Sequence, residues 1–120
     1  MKICLTGATG YVGGRLAPLL LDAGHTVRCL VRDRRKLESR TWHALPGVEI
    51  LEVDLNNPHR LTQALRGCTA AYYLVHSMQA TGYRYAEQDR RLAMSFAQAA
   101  RTAGVGRIIY LGGLANWAII

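Results

Sequence analysis

Short apolar runs alternate with amphipathic stretches along most of the chain. The apolar runs, several of them rich in β-branched residues, predict five strands: Lys2–Thr6, Thr26–Val31, Val48–Val53, Ala70–Val75 and Arg107–Leu111. Stretches with helical spacing lie between them and predict four helices: Tyr11–Ala23, Asp33–Ala44, Pro58–Arg66 and Tyr83–Ala103.

A glycine-rich turn, Thr6-Gly7-Ala8-Thr9-Gly10-Tyr11-Val12-Gly13, joins the first strand to the first helix. A strand, a tight turn and a helix N-terminus aim free backbone N–H groups at one point, which predicts an anion site. We expect Gly7 to allow the turn, Gly10 to let a pyrophosphate approach the backbone, and Gly13 to let the helix pack on the strand. No Gly-Lys-Ser/Thr follows, so a mononucleotide P-loop is excluded.

The regular alternation predicts an α/β fold, a three-layer Rossmann-type domain with helices on both faces of a parallel sheet. With the phosphate-binding turn after the first strand, we expect about five strands in the order 3-2-1-4-5, truncated after strand five. Residues 1–113 are assigned to this domain and residues 114–120 to an apolar tail. The ligand is expected at the carboxyl ends of the strands, where Arg32, Asp54 and His76 should meet the glycine-rich turn.

Composition narrows the class of protein. Half of the 120 residues are hydrophobic, which indicates one ordered domain. Cys4, Cys29 and Cys68 have no paired spacing, which argues against a disulfide framework and a metal site and fits the cytoplasm. No apolar run approaches the roughly 20 residues of a membrane span. The net charge of +7 comes without a nucleic-acid-binding motif, so we expect neither a nucleic acid nor a membrane as partner.

The glycine-rich turn resembles the cofactor loop of extended and atypical short-chain dehydrogenases/reductases, above all the NAD(P)H-binding NmrA-like group, in which Gly-Ala-Thr-Gly is usual. The resemblance extends to Gly113. It implies a dinucleotide as partner and an oxidoreductase-type protein. It also implies that the cofactor is held by the turn, that is by Gly7, Ala8, Thr9, Gly10, Tyr11, Val12 and Gly13.

The end of the second strand indicates which dinucleotide is preferred. An acidic residue there is typical of NAD-binding domains, whereas cations favour the extra phosphate of NADP. Here Arg32 follows the strand directly and Lys36 comes four residues later, which favours NADP(H), with NAD(H) possible. A solvated basic turn is the alternative. Asp33 is interpreted as the cap of the following helix.

The resemblance assigns further cofactor-binding positions after the third and fourth strands. Asp54 and Leu55 match the positions beside the adenine, although a cap for the following turn explains Asp54 equally well. Leu74, Val75 and His76 match residues that line the ribose and approach the nicotinamide. His76 titrates near neutrality and is a candidate acid or base, but such a histidine is more often a hydrogen-bonding neighbour.

The catalytic half of the family pattern is missing. None of the six tyrosines has a lysine four residues later, since Lys2 and Lys36 are the only lysines, and Gly112-Gly113 replaces the usual serine. Two hypotheses remain. The chain is part of a longer oxidoreductase, or it is a non-enzymatic NADP(H)-sensing module that docks to a protein partner.

The tail raises a separate question about partners. Residues 114–120 are apolar and uncharged, with Trp117, Ile119 and Ile120 among them. An open edge of strand five beside this patch favours a homo-oligomer or the missing C-terminal part of the protein as partner. The alternative is that the tail folds back and covers the gap.

Overall fold

The fold is built around one twisted sheet. A computed structural model describes residues 1–75, 83–112 and 116–119, with backbone alone for 83–86, 112 and 116–119. Its strands are β1 (Lys2–Thr6), β2 (Thr26–Val31), β3 (Val48–Glu52), β4 (Ala70–Tyr73), β5 (Arg107–Gly112) and β6 (Asn116–Ile119).

The sheet order is β3-β2-β1-β4-β5-β6, and the first five strands are parallel. The predicted α/β class and the order 3-2-1-4-5 are therefore confirmed. Asn116–Ile119, expected to belong to an apolar tail, instead pairs antiparallel with β5. The edge of β5 is thus paired by the chain's own residues, as in the second alternative for the tail.

The helices are α1 (Tyr11–Asp22), α2 (Pro58–Leu65) and α3 (Tyr83–Ala103), and each lies where the spacing predicted it within two residues. In the part of the chain that the structure describes, none of these helices is long and apolar enough to cross a membrane.

The predicted second helix, Asp33–Ala44, is wrong. Only Arg34–Leu37 is helical, as a short 3-10 turn, and the chain continues through turns in which the N–H groups of Arg40, His43 and Leu45 each donate to the carbonyl three residues back. Leu37 and Trp42 are both buried. Five residues apart, they would point about 140° apart around an α-helix, so one regular helix could not bury both against the sheet.

Two cores lie on the two faces of the sheet because neighbouring strand residues point to opposite sides. On one side, Cys4 belongs to a core with Leu61 of α2 and Phe96 of α3. On the other side, Leu5 belongs to a core with Ala17 of α1, and this core includes the buried Leu37 and Trp42. All three cysteines are buried and free of disulfides.

Arg28 ties together three elements at the amino edge of the sheet. Its Nε donates to Glu49 Oε1 of β3 at 2.8 Å, and its Nη1 donates to the carbonyl oxygens of Ala64 and Arg66, at 2.8 and 2.7 Å, at the end of α2. Lys2 Nζ lies 3.1 Å from Glu49 Oε2. The hydrogen bond from Arg28, followed by that from Lys2, lowers the pKa of Glu49 below its usual value.

We expect Arg28→Ala to lower the free energy of unfolding by about 2–4 kcal/mol, because it leaves two carbonyls without this donor and the carboxylate of Glu49 with Lys2 as its remaining partner. Arg90→Ala is the matched control: its pair with Glu87 is equally short, at 2.9 Å, but exposed, and its loss should cost less than about 1 kcal/mol. Urea denaturation measures both.

The same pair predicts a pH dependence. Because the pKa of Glu49 is lowered on folding, its stabilisation is present at neutral pH and is lost as the pH falls through the folded-state pKa. The difference between the wild type and Arg28→Ala should therefore shrink in acid. Equal losses for Arg28→Ala and Arg90→Ala at neutral pH would contradict this account of the fold.

Candidate functional site

The site lies at the carboxyl edge of the sheet, where the winding direction changes between β1 and β4. Leu74 N donates to Thr6 O at 2.8 Å, and this hydrogen bond is the last one between β1 and the segment that continues from β4 before the two segments diverge. Two clefts open there on either side of the glycine-rich loop, Gly7–Gly13. The first cleft, of about 370 Å³, extends to the end of β2, and the second, of about 420 Å³, extends to the ends of β4 and β5.

The two clefts form one continuous surface, because Gly7, Thr9 and Val75 line both of them. The remaining lining of the first cleft is Thr6, Ala8, Leu30, Val31, Arg32, Asp33, Lys36, Val53 and Leu55. The remaining lining of the second cleft is Gly10, Tyr11, Val12, Gly13, Leu74 and Leu111.

Two glycines of the loop are required by the fold itself. Gly7 has φ +106°, and a Cβ there would stand 3.0 Å from the backbone of Leu74. A Cβ on Gly13 would stand 2.1 Å from the carbonyl oxygen of Gly7, nearer than any side chain permits. The expected roles of Gly7 in the turn and of Gly13 in helix–strand packing are therefore confirmed.

Gly10 is different. Its backbone is extended, with φ −84° and ψ 179°, which any residue adopts. A Cβ there would meet only the carbonyl oxygen of Gly7, at 3.4 Å. The fold thus leaves open space above Gly10, within the second cleft.

Backbone donors converge at the start of α1. Gly10 N donates to Gly7 O at 3.0 Å, and the first helical bond runs from Gly14 N to Gly10 O at 2.9 Å. The N–H groups of Tyr11, Val12 and Gly13 precede that bond and have no backbone acceptor in the described part of the chain. No acidic residue lies in this first turn. The free N–H groups and the helix dipole together form an anion site.

Cations line the far end of the first cleft. Arg32 and Lys36 are exposed, and neither side chain makes a hydrogen bond or an ion pair within the ranges that the structure describes. Asp33 accepts from the backbone N of Arg35 at 3.0 Å and pairs with its guanidinium at 2.9 Å. These bonds lower the pKa of Asp33 to about 2. The interpretation of Asp33 as a cap is therefore confirmed, although the helix it caps is a 3-10 turn.

The other predicted site residues divide into three groups. Leu55 lines the first cleft, and Leu74 and Val75 line the second. Asp54 is not part of the described lining. Its carboxylate accepts from Asn56 N at 2.9 Å, which lowers its pKa, with a smaller contribution from the charge of Arg32. His76 lies outside the described residues, so its expected role stays a prediction.

Sequence reasoning missed one residue that reaches the loop. Arg40 Nη2 donates to the carbonyl oxygen of Thr9 at 2.6 Å. Nothing in the sequence points to this contact, because Arg40 fell inside the incorrectly predicted helix and the turns around it decide where its side chain goes. Thr6 and Val53 were also missed, although their places at the ends of strands β1 and β3 would have identified them.

The fold and the glycine-rich loop define a Rossmann-type domain of the short-chain dehydrogenase/reductase kind. The chain belongs to the NmrA-like family, whose model matches residues 1–116. Photosystem II assembly factor Ycf39 of Guillardia theta is 30% identical over 115 residues, which cover 95% of this chain and 35% of that protein. Noscapine synthase SDR1 of Papaver somniferum is 34% identical over 82 residues, or 63% of this chain and 24% of that protein.

Solved structures of related proteins are also similar to this chain. Citrobacter sp. triphenylmethane reductase, complexed with NADP(H), superposes with a TM-score of 0.74 at 27% identity, over 93% of this chain and 37% of that one. A mutant NmrA superposes with a TM-score of 0.75 at 26% identity, over 91% of this chain and 32% of that one. The chain thus spans about a third of the length of these proteins.

Because Gly13 faces backbone and Gly10 faces open space, a side chain should destabilise the fold far more at Gly13 than at Gly10. We expect Gly13→Val to lower the free energy of unfolding by about 3 kcal/mol or more, because its Cβ overlaps the Gly7 carbonyl. Gly10→Val should cost less than about 1 kcal/mol. Thermal and urea denaturation of both variants measure the difference. A Gly10→Val variant as unstable as Gly13→Val would contradict the geometry of the loop.

Proposed function

We propose that this chain is the dinucleotide-binding module of an atypical short-chain dehydrogenase/reductase-like oxidoreductase, and that it prefers NADP(H) to NAD(H). One observation carries the proposal. A single surface joins free backbone N–H groups at the start of α1 to two unpaired cations at the end of β2. When bound, the nicotinamide of such a cofactor supplies the donor or acceptor of a hydride.

The glycine-rich loop fits a pyrophosphate. The N–H groups of Tyr11, Val12 and Gly13 are free to bind phosphate oxygens, and the space above Gly10 lets the diphosphate come close to the backbone. No acidic side chain in the first turn of α1 repels it. The chain's own backbone therefore supplies the donors that hold the middle of the dinucleotide.

The end of β2 fits the adenosine half that carries a 2′-phosphate. Arg32 and Lys36 line the first cleft, and neither side chain has a hydrogen-bond or ion-pair partner among the described residues. In an NAD-preferring domain, the acid at this strand end accepts from the ribose hydroxyls. Among the described lining residues Asp33 is the only acid, and its carboxylate already accepts from the backbone N, Nε and Nη2 of Arg35. Leu55 and Val53 supply apolar surface for the adenine.

The nicotinamide half is assigned to the second cleft. Tyr11, Val12, Leu74 and Val75 give it a largely apolar lining, which suits the ring. Triphenylmethane reductase supports the choice of cofactor, because that relative is described as a complex with NADP(H).

Calorimetric titration of the chain with NADP⁺ and NAD⁺ tests the proposal. A charge-assisted contact is worth about 1.5–3 kcal/mol, so the wild type should bind NADP⁺ on the order of ten- to a hundredfold more tightly. Arg32→Ala should abolish most of that preference and leave NAD⁺ binding nearly unchanged. Gly10→Val should lose both ligands while remaining folded, because its side chain occupies the space of the pyrophosphate.

Arg101→Ala, which removes an exposed charge near the end of α3, is the control and should change neither affinity. Equal losses of NADP⁺ and NAD⁺ in Arg32→Ala would show that Arg32 does not recognise the 2′-phosphate. Unchanged affinities in Gly10→Val would overturn the proposed binding module altogether.

The sequence also favours a second candidate, a non-enzymatic NADP(H)-sensing module that docks to a protein partner. Its support is the absence of any Tyr-x-x-x-Lys pair from the chain, because that pair passes the proton in the resembling reductases. NmrA is among the structural relatives. Under either candidate, this chain alone lacks the proton-transfer pair.

We therefore expect no appreciable reductase turnover from the isolated chain, since positioned proton transfer contributes about 10²–10⁴-fold to a rate. Oxidation of NADPH, followed at its nicotinamide absorbance with a panel of aldehydes, quinones and flavins, measures this. Robust turnover that disappears in His76→Ala would contradict the expectation and make His76 the acid or base.

A further inference from the structure

Arg40 reaches from the turns after β2 to the glycine-rich loop. Its Nη2 donates to the carbonyl oxygen of Thr9 at 2.6 Å, and its guanidinium carbon lies 3.4 Å from the place that a Cβ on Gly14 would take. Its Nε is buried and has no partner within the described residues. The half-buried guanidinium is therefore held against the loop and the first turn of α1.

The backbone of Arg40 is itself fixed. Arg40 N donates to Leu37 O at 2.9 Å, and His43 N donates to Arg40 O at 3.1 Å. His43 Nδ1 also lies 2.7 Å from Arg40 O. Leu37 and Trp42, on either side of Arg40, are buried in the core against the sheet. The guanidinium thus extends from an anchored segment.

We propose that Arg40 is the positioning residue of the glycine-rich loop, which it holds in the conformation that binds the diphosphate. This proposal rests on the function proposed above. It adds a residue that acts on binding through the conformation of the loop, whereas Arg32 acts by contacting the 2′-phosphate.

The loop needs such a brace because its own bonds are few. Thr9 and Gly10 are exposed, and glycine-rich backbone loses much conformational entropy when it is ordered. Among the described residues, Arg40 is the only one that donates a hydrogen bond to the carbonyl oxygen of Thr9. Fixing the Thr9–Gly10 peptide before binding removes part of the ordering cost from the binding step.

The arrangement carries an energetic cost. A buried donor without a partner, here Nε, destabilises a fold. Such unsatisfied groups call for a reason, and functional sites are one place where they occur. The absence of a side chain at Gly14 is what gives the guanidinium its room.

Arg40 and Arg32 therefore make distinguishable contributions. The diphosphate is common to NADP and NAD, so a residue that positions the loop affects both ligands by the same factor. A residue that contacts the 2′-phosphate changes their ratio. A fragment without a diphosphate, such as 2′-AMP, should depend on Arg32 and not on Arg40.

The test compares Arg40→Gln, Arg40→Lys and the control Arg34→Gln, which changes an exposed arginine of the same connection. Calorimetry with NADP⁺, NAD⁺ and 2′-AMP should show that Arg40→Gln weakens both dinucleotides by about tenfold or more, at an unchanged ratio. Binding of 2′-AMP should not change. Arg40→Lys should recover part of the loss, and Arg34→Gln should match the wild type.

A second readout needs no ligand. Amide hydrogen exchange of Gly10 and Gly14, whose N–H groups close the loop, should be faster in Arg40→Gln than in the wild type and unchanged in Arg34→Gln. Unchanged exchange, or a change in the NADP⁺ to NAD⁺ ratio, would overturn the role of Arg40. A wild type that binds neither dinucleotide would overturn the proposed function instead, while exchange still decides whether Arg40 braces the loop.

Discussion

Helix α1 meets strand β1 at a distance that leaves no room for a side chain. The position of a Cβ on Gly13 is only 2.1 Å from the Gly7 carbonyl oxygen, and Gly7 itself needs a left-handed backbone. This contact puts the first turn of α1 directly beyond the end of β1. Because parallel strands end at one edge, the free N–H groups of that turn share one continuous surface with residues at the ends of β2, β3 and β4.

The charged side chains at the two edges of the sheet differ in whether they are paired. At the amino edge, Arg28 and Lys2 share the carboxylate of Glu49, and Arg28 also caps the end of α2, so charges there are paired and serve stability. At the carboxyl edge, Arg32 and Lys36 have no such partner in the described part of the chain. Because unpaired cations lie here beside free backbone donors, this is the edge at which we propose that an anionic ligand binds.

The sequence predicted those features of the structure that neighbouring residues determine, and it failed where tertiary packing determines them. The first five strands, the structural roles of Gly7 and Gly13 and the cap at Asp33 follow from neighbouring residues and agree with the structure, whereas β6 was not predicted as a strand. The helix over Asp33–Ala44 failed because burial of both Leu37 and Trp42 outweighs the local spacing. The contact between Arg40 and Thr9 joins residues 31 apart in the chain. It depends on the irregular turns that follow β2, so no local sequence pattern predicts it.

Amide chemical-shift mapping of the ¹⁵N-labelled chain with NADP⁺ tests whether a dinucleotide binds along the carboxyl edge. We expect the largest shifts on the amides of Tyr11, Val12, Gly13 and Arg32. The groove of about 510 Å³ between α2 and α3, which includes His59 and Gln98, should stay unchanged. Saturable shifts confined to that groove, or no chemical-shift changes with millimolar NADP⁺, would contradict binding of the dinucleotide at the carboxyl edge.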